Sequence, residues 1–286
     1  MESGKQNLTI DVEQVIASKS RKLAKYTPEF IINSVKRIIH QDEINHILEN
    51  NRNKTGVDFA SASLKDMNVA YNVIYTNKDS IQKAGRYIFV SNHPLGGLDG
   101  LILISLLGKE LGEVKFVVND LLMNIKPLET IFVPVNKHGH MSKEYGGLIN
   151  NAYASECHIL YFPAGLCSRM INGKITDPPW QKNFLRQALK YNRDIVPVYF
   201  GGRNSTFFYR LAQLRKRLGI KFNIEMILLP REMFRRKNSI FDVVIGEPVP
   251  AAGIRESMTG SKELEQWSKL IRDKTYALRQ YIKKNK

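Results

Sequence analysis

The distribution of apolar and polar residues divides the chain into an N-terminal part with helical spacing and a longer part with short apolar runs. In the first part, apolar side chains recur on one helical face, at Val12, Val15, Ile16 and Leu23. Thr27 and Pro28 then precede an amphipathic run, EFIINSVKRII. A capping residue followed by proline in the first turn is typical of a helix start. We therefore expect two or three helices before residue 68.

From residue 68 onward the pattern changes to short runs rich in β-branched and aromatic residues. These runs are NVIY, RYIFV, VKFVV, TIFVPV, HILYF, DIVPVYF, FNIEMIL and FDVVIG. Strands of this kind, separated by helical or polar segments, predict an α/β fold in which a mixed β-sheet is flanked by helices. Residues 261–283 show the spacing of an amphipathic helix that packs on the protein. We expect an N-terminal helical extension over 1–67 and a main domain with a C-terminal amphipathic helix over 68–286.

Composition narrows the classes of protein and of partner. The 286 residues are 43% hydrophobic, enough for a sizeable core, and 43 Lys and Arg against 27 Asp and Glu give a net charge of +16. This excess predicts an acidic partner, which is nucleic acid, an anionic membrane surface or an acidic carrier protein. No helix-turn-helix, zinc-finger or single-strand-binding motif accompanies the charge, which argues against nucleic acid.

Two features of the sequence bear on the compartment. The apolar run Leu101 to Leu107, which Ser105 interrupts, is far shorter than the roughly 20 residues that span a bilayer. The chain has two cysteines without a disulfide pattern, and no signal peptide is recognisable. We therefore expect a cytoplasmic protein.

The stretch SNHPLGGLDG contains the first candidate chemistry. It lies between an apolar run and a predicted helix, so His93 follows a strand end, where open α/β sheets collect functional groups. Gly96 and Gly97 allow a sharp bend and a close approach of substrate. Asp99 is near enough to orient the imidazole, and His93 is then a candidate general base. The alternative is structural, with Asp99 as a helix cap and His93 as a turn residue.

Three further blocks change this balance: IFVPVNKHG at 131–139, FPAGLCSR at 162–169 and IVPVYF at 195–200. In this order the four blocks resemble the phosphate and lysophospholipid acyltransferase family, also called the glycerolipid acyltransferases, over roughly residues 70 to 250. The resemblance implies transfer of a fatty acyl group from a thioester, on acyl carrier protein or coenzyme A, to a lipid hydroxyl or amine. It implies that His93 is the base and Asp99 its partner, with no metal or other cofactor. Backbone amides near Gly96 and Gly97 are the candidate donors to the oxyanion.

The sequence departs from the family pattern at two blocks. Five residues separate His93 from Asp99, where the family has four. The third block, usually FPEGTRS, has Ala164 in place of the glutamate and Leu166 and Cys167 in place of Thr-Arg, and Arg169 follows directly after the matching Ser168. The matching Gly165 and Ser168, with Arg169, are the candidate acceptor-binding residues of this block.

These departures bear on the acceptor. Because guanidinium binds carboxylate as readily as phosphate, we expect an amino-acid lipid acceptor, as in a variant branch resembling bacterial amino-acid-lipid acyltransferases. Formation of phosphatidic acid from 1-acylglycerol-3-phosphate is the alternative. In the second block the resemblance implies that Asn136 and Lys137 line the acceptor site. The neighbouring His138 and His140 lack further metal ligands, and we interpret them as loop residues.

Residues 203–218, RNSTFFYRLAQLRKRL, have the composition of a helix that lies in a membrane interface. The candidate membrane-binding residues are Phe207, Phe208, Arg210, Arg215 and Arg217. A second basic cluster surrounds Phe234, and anionic head groups attract such clusters. We expect peripheral association with the inner face of the cytoplasmic membrane. The alternative is that the apolar face packs on the sheet.

A lipid hydrolase with Ser168 or Cys167 as nucleophile is another possible enzyme class. The sequence lacks the Gly-x-Ser-x-Gly elbow that such enzymes usually contain. Direct transfer with His93 as base needs no such nucleophile.

Overall fold

The computed structural model describes residues 9–13, 26–135, 143–258 and 260–284. Three helices lie between residue 26 and the first strand: α1 (Glu29–Ile38), α2 (Gln41–Asn50) and α3 (Gly56–Asp66). α1 follows Pro28 and coincides with the predicted amphipathic run. Of the N-terminal helical face, Val12 is described and buried. Val15, Ile16 and Leu23 lie outside the described residues.

Nine strands follow in two sheets. They are β1 (Ala70–Tyr75), β2 (Tyr87–Ser91), β3 (Val114–Asn119), β4 (Phe132–Val135), β5 (His158–Tyr161), β6 (Arg169–Ile171), β7 (Lys174–Thr176), β8 (Asp194–Phe200) and β9 (Ile240–Ile245). The main sheet has seven strands in the order β1-β9-β8-β2-β5-β3-β4. All neighbours in it are parallel except β8 and β9. β6 and β7 form a separate antiparallel pair.

Helices cover both faces of the main sheet, so the predicted α/β fold with a mixed sheet is confirmed. They are α4 (Leu98–Leu111), α5 (Lys143–Ala154), α6 (Asn183–Tyr191), α7 (Thr206–Arg217), α8 (Leu229–Phe234), α9 (Ala251–Glu256), α10 (Ser261–Ala277) and α11 (Arg279–Lys284). β2 is buried along its whole length: Phe89 faces the core beneath α4, whereas Ile88 and Val90 face the core beneath α6 and α10. A strand buried on both faces reads as a continuous apolar run.

The terminal helices contribute to these cores. Leu48 of α2 and Phe59 and Leu64 of α3 belong to the same buried cluster as Phe89. On the opposite face, Leu264 and Ile271 attach the predicted C-terminal amphipathic helix to the sheet. The division of the chain at residue 67 stays a prediction. Within the described residues, no helix is both long enough and apolar enough to cross a bilayer.

The prediction that FNIEMIL forms a strand is wrong. Ile224–Leu228 forms a 3₁₀ turn that leads into α8. Glu225 and Leu228 are buried, whereas Met226 and Ile227 between them are exposed. That three-residue spacing suits a helical turn, since a strand would alternate sides at every residue.

Candidate active site

The candidate site lies at the carboxyl ends of the central strands. β2 has β8 and β5 as its neighbours, and all three strands run in the same direction. The segments that leave these strands therefore meet at one edge of the sheet. The side-chain amide of Asn92 links two of them, because it donates to the carbonyl of Phe200 at 3.0 Å and accepts from the Phe200 amide at 2.7 Å.

The structure brings His93 and Asp99 together. His93 Nδ1 lies 3.0 Å from Asp99 Oδ2, although five residues intervene. His93 is in the turn that follows β2, and Asp99 is in the first turn of α4. The turn closes through Gly96, whose φ of +92° lies in a region that favours glycine. Backbone geometry thus accommodates the extra residue.

The Asp99 carboxylate is buried and held by several hydrogen bonds. It is fully buried, and its Oδ2 also accepts the Leu95 amide at 2.9 Å while its Oδ1 accepts the Gly100 amide at 3.0 Å. An ionised carboxylate only accepts hydrogen bonds, so Nδ1 of a neutral His93 carries the proton. Nε2 then carries the lone pair of the ring, which is the arrangement of a general base.

Opposing causes set the pKa of His93, which lies well above its usual value. Burial of the ring lowers the pKa, whereas the charge and hydrogen bond of Asp99 raise it, and Cys167 acts in the same direction. Phe162 stacks on the imidazole with ring centroids 4.0 Å apart. The ring is therefore held between an apolar surface and a carboxylate, with 14% of the side chain exposed.

Gly96 and Gly97 lie beneath α8. A Cβ atom at Gly96 would come within 2.9 Å of Leu229 and 3.2 Å of the Cys167 sulfur, and one at Gly97 would meet Met233 at 3.7 Å. Gly97 directly precedes α4, whose first amide groups have no partners within the helix. The predicted donors to an oxyanion thus stand at a helix N-terminus beside His93.

The third block packs directly against the His93 segment. Gly165, with a φ of +63°, forms a tight turn in which its amide donates to the Phe162 carbonyl at 3.0 Å. The Ser168 amide donates to the His93 carbonyl at 2.7 Å. The Ser168 hydroxyl is buried and donates to Asp177 at 2.6 Å, so its proton is engaged by an internal carboxylate.

Arg169 forms a buried ion-pair cluster with Glu225 and Arg215. Its Nη2 lies 3.0 Å from Glu225 Oε1, and Arg215 Nε lies 2.8 Å from Glu225 Oε2. Glu225 is fully buried, and the two arginine side chains are 12% and 15% exposed. One carboxylate thus faces two guanidinium groups, which leaves one excess positive charge next to the third block.

Two candidate membrane-binding residues are corrected by the structure. Phe208 is fully buried against Cys167, Tyr209 and Leu228, and Arg215 is committed to Glu225. Phe207, Arg210 and Arg217 are exposed. α7 therefore has two apolar sides: the side with Phe208 packs against the protein, and the side with Phe207 is exposed.

The two cysteines lie at opposite ends of β5. Cys157 is buried at the amino end of the strand, where its thiol lies 3.4 Å from the Ala152 carbonyl. Cys167 is buried beyond the carboxyl end, beside His93 and Gly96. Of the remaining candidates, Asn136 and Lys137, with His138 and His140, lie outside the described residues.

Sequence reasoning missed Asp177. Its Oδ1 accepts the His93 amide at 3.2 Å and its Oδ2 accepts the Trp180 Nε1–H at 3.0 Å. It is 84 residues from His93 in the chain, so no local spacing connects them. In the sequence, Asp177 is a polar residue in the segment between β7 and α6. Polar residues are common in such segments, so this position does not identify a site.

A histidine–aspartate pair at the carboxyl edge of a mixed α/β sheet is the arrangement of an enzyme that moves a proton by a general base. The sequence profile of the family described as acyltransferase matches residues 14–284. The chain belongs to this family and is an acyltransferase, which confirms the resemblance found in the four sequence blocks.

Two relatives are similar to this chain over nearly its whole length. The lyso-glycine lipid O-acyltransferase of Bacteroides thetaiotaomicron is 43% identical over 94% of this chain and 97% of its own length. That of Phocaeicola vulgatus is 41% identical over 94% of this chain and 95% of its own length. Among solved structures, the 1-acyl-sn-glycerophosphate (LPA) acyltransferase PlsC of Thermotoga maritima is similar at 15% identity, with a TM-score of 0.43 over 88% of this chain and 92% of that chain.

Proposed function

We propose that this acyltransferase moves a fatty acyl group from an acyl thioester to the hydroxyl of a lyso-glycine lipid. The observation that carries the proposal is the His93–Asp99 pair, 3.0 Å apart, at the carboxyl edge of the sheet. Two relatives named as lyso-glycine lipid O-acyltransferases support this acceptor, since they share more than 40% of their residues with this chain over 94% of its length. The proposed role is in the biosynthesis of membrane lipids.

In the proposed reaction, Nε2 of His93 takes the proton of the acceptor hydroxyl as its oxygen attacks the thioester carbonyl carbon. A new C–O bond forms, the C–S bond breaks, and the leaving thiolate receives the proton from the imidazolium. Asp99 stabilises the imidazolium and fixes its orientation. The amides near Gly96 and Gly97 are the proposed donors to the developing oxyanion, since donors at a helix N-terminus favour negative charge.

The third block supports an acceptor whose anion is a carboxylate. Arg169 and Arg215 share the single carboxylate of Glu225, and the excess positive charge beside Gly165 and Ser168 favours an anionic group. We assign recognition of the glycine carboxylate to this region, together with Asn136 and Lys137. Ala164 occupies the place of the glutamate that the resembling family uses with phosphate acceptors.

The acyl donor is a thioester of acyl carrier protein or coenzyme A, which acts as co-substrate without a further cofactor. The net charge of +16 fits an acidic carrier protein and an anionic membrane surface. Acyl-transfer rates measured with each thioester donor across a salt series distinguish acyl carrier protein from coenzyme A. Turnover with a protein donor should weaken as salt rises, because docking between opposite charges is screened.

An exposed apolar surface on and after α7 supports peripheral binding to the inner face of the cytoplasmic membrane. Phe207, Leu218 and Phe222 are 53%, 64% and 68% exposed. The guanidinium of Arg231 lies 5.5 Å from the Phe207 ring centroid, so aromatic and basic groups are interleaved. A surface of this composition inserts side chains at the level of the head groups.

Vesicle flotation tests the membrane surface. We expect the protein to float with anionic but not with neutral vesicles, and Phe207→Ser with Phe222→Ser to reduce flotation without changing the melting temperature. Ile240→Ser, which removes an apolar residue with 68% exposure from the amino end of β9, is the matched control. Equal flotation of the double variant and the control contradicts the assignment.

The acceptor is tested by mass spectrometry of products formed from a labelled acyl thioester. Parallel reactions contain lyso-glycine lipid, lysophosphatidic acid, free glycine or no acceptor. We expect the label on the hydroxyl of the glycine lipid. Exclusive formation of phosphatidic acid would overturn the acceptor assignment, and free fatty acid in every reaction would identify a hydrolase instead.

A further inference from the structure

Both backbone polar groups of His93 are bound to the segment that follows β5. The His93 carbonyl accepts the Ser168 amide at 2.7 Å, and the His93 amide donates to Asp177 Oδ1 at 3.2 Å. The Ser168 hydroxyl donates to the same Asp177 oxygen at 2.6 Å. These three hydrogen bonds form a closed ring through His93, Ser168 and Asp177. The position of the His93 side chain at the end of β2 therefore depends on this cycle of hydrogen bonds.

Asp177 is an unusual residue to find at this place. It is 1% exposed, and burial raises its pKa although hydrogen bonds from Ser168, Trp180 and His93 lower it. Among the described residues, no lysine or arginine forms an ion pair with this carboxylate. The charge of His93 is the favourable partner of this carboxylate. A buried carboxylate outside an ion pair with lysine or arginine is costly, and an amide side chain of similar volume avoids that cost. The Asp177 carboxylate therefore lowers the stability of the fold at this position.

The C-terminal helix fixes the backbone of Asp177. The Asp177 amide donates to the Tyr276 hydroxyl at 2.8 Å, and Arg272 donates to the Asp177 carbonyl at 3.0 Å. Arg272 also donates to the Thr176 hydroxyl at 2.7 Å. The carboxylate is therefore supported from behind by α10 and reaches forward to the His93 segment.

We propose that Asp177 is a positioning residue of the acyl-transfer reaction, which holds His93 and Ser168 in register and connects α10 to the catalytic turn. The inference rests on the proposed role of His93 as general base. Asp99 orients the ring of His93 through Nδ1, whereas Asp177 positions its backbone, so two carboxylates support one histidine from different directions. A shift of about 1 Å in a reacting group costs roughly 100-fold in rate.

The test uses substitutions that separate hydrogen bonding from charge. In Asp177→Asn the remaining oxygen still accepts from His93 and Ser168, but the new amide donor opposes the Trp180 Nε1–H. Asp177→Asn with Trp180→Phe removes that opposing donor. Asp177→Ala removes every acceptor. Asp194→Asn is the matched control, because Asp194 accepts the Ala251 amide at 2.9 Å at the amino end of β8, away from the site.

We expect kcat to fall about 10- to 100-fold in Asp177→Asn, with the KM for the acceptor nearly unchanged. Adding Trp180→Phe should restore most of this loss, whereas Asp177→Ala should stay at the lower rate. The acid limb of the pH–rate profile should move to lower pH in both asparagine variants. Asp99 and the Cys167 thiol face the ring. The Asp177 carboxylate interacts with the charge of His93 without facing its ring, and the substitution removes this one negative charge. Asp194→Asn should keep both kcat and the profile.

Thermal unfolding and a His93→Ala variant complete the design. If Asp177→Asn lowers the melting temperature but leaves kcat and the pH profile of the folded enzyme unchanged, the residue is structural and the inference is wrong. If His93→Ala retains full activity, the proposed function fails. Inactive His93→Ala together with fully active Asp177→Ala overturns this inference alone.

Discussion

Among single residues, His93 carries the proposed chemistry, and its removal is the most direct test. We expect His93→Ala to reduce acyl transfer about 100- to 10,000-fold, because general-base catalysis contributes that much to a rate. His46→Ala is the matched control, since His46 is an exposed histidine that bonds Asn50 at 3.1 Å on α2. Steady-state rates and melting curves of both variants are to be compared. Near-normal rates in His93→Ala would remove the His93–Asp99 pair from the mechanism.

The raised pKa of His93 gives a pH dependence with opposite signs for activity and stability. A general base must be neutral, so kcat/KM should increase with pH through a midpoint above the ordinary histidine pKa of about 6.5. A protonated His93 stabilises the fold below the unfolded pKa, and this contribution disappears as pH rises through the folded pKa. Urea unfolding of wild type and His93→Ala across this window measures the second effect. A midpoint of kcat/KM below 6.5 contradicts the first.

At the scale of elements, the turn between β2 and α4 requires a glycine at residue 96. Gly96→Ala places a methyl group at a φ of +92° and within 2.9 Å of Leu229. We expect a loss of stability of about 1 to 3 kcal/mol and a fall in activity, since the strained turn moves His93 relative to Asp99. The control is Gly147→Ala in α5, where a Cβ meets nothing within 4 Å. That variant should be slightly more stable, because alanine favours a helix.

The ion-pair cluster that joins β6, α7 and the 3₁₀ turn is expected to be sensitive to loss of its anion. Glu225→Gln leaves Arg169 and Arg215 nearly buried and facing each other without a counter-charge. We expect a destabilisation of about 3 kcal/mol in urea unfolding, because breaking a buried pair leaves an uncompensated charge. Glu247→Gln, at an exposed carboxylate, should change stability little. Equal midpoints for the two variants would show that the cluster does not stabilise the fold.

Elements were predictable from sequence where one periodicity ran through a whole segment. The parallel strands of the central sheet read as apolar runs because both of their faces are buried. FNIEMIL is similarly apolar. Its Glu225, however, is buried in ion pairs with Arg169 and Arg215, and the segment forms a 3₁₀ turn. In α7 the pattern could not show which apolar side faces the protein, so Phe208 and Phe207 were assigned to one surface although only Phe207 is exposed.

At the scale of the whole molecule, the sequence indicated the part of the site that is local in the chain. His93 and Asp99 are six residues apart, so one turn brings them together. Asp177, Tyr276 and Glu225 reach the site from other segments, and only the folded sheet places them next to the third block. Arg169 illustrates the difference: its position in the chain suggested an anion ligand, whereas its surroundings include an internal carboxylate.

The placement of the two cysteines at opposite ends of β5 has a consequence for oxidation. The four residues of β5 span about 13 Å, whereas a disulfide needs Cα atoms within about 7 Å. The folded chain therefore has no route to an internal cross-link between Cys157 and Cys167, its only cysteines. Peptide mapping after treatment with a thiol oxidant should find no Cys157–Cys167 disulfide. Both buried thiols should react with a chromogenic disulfide reagent only as the chain unfolds, at a rate that reports the opening of the sheet.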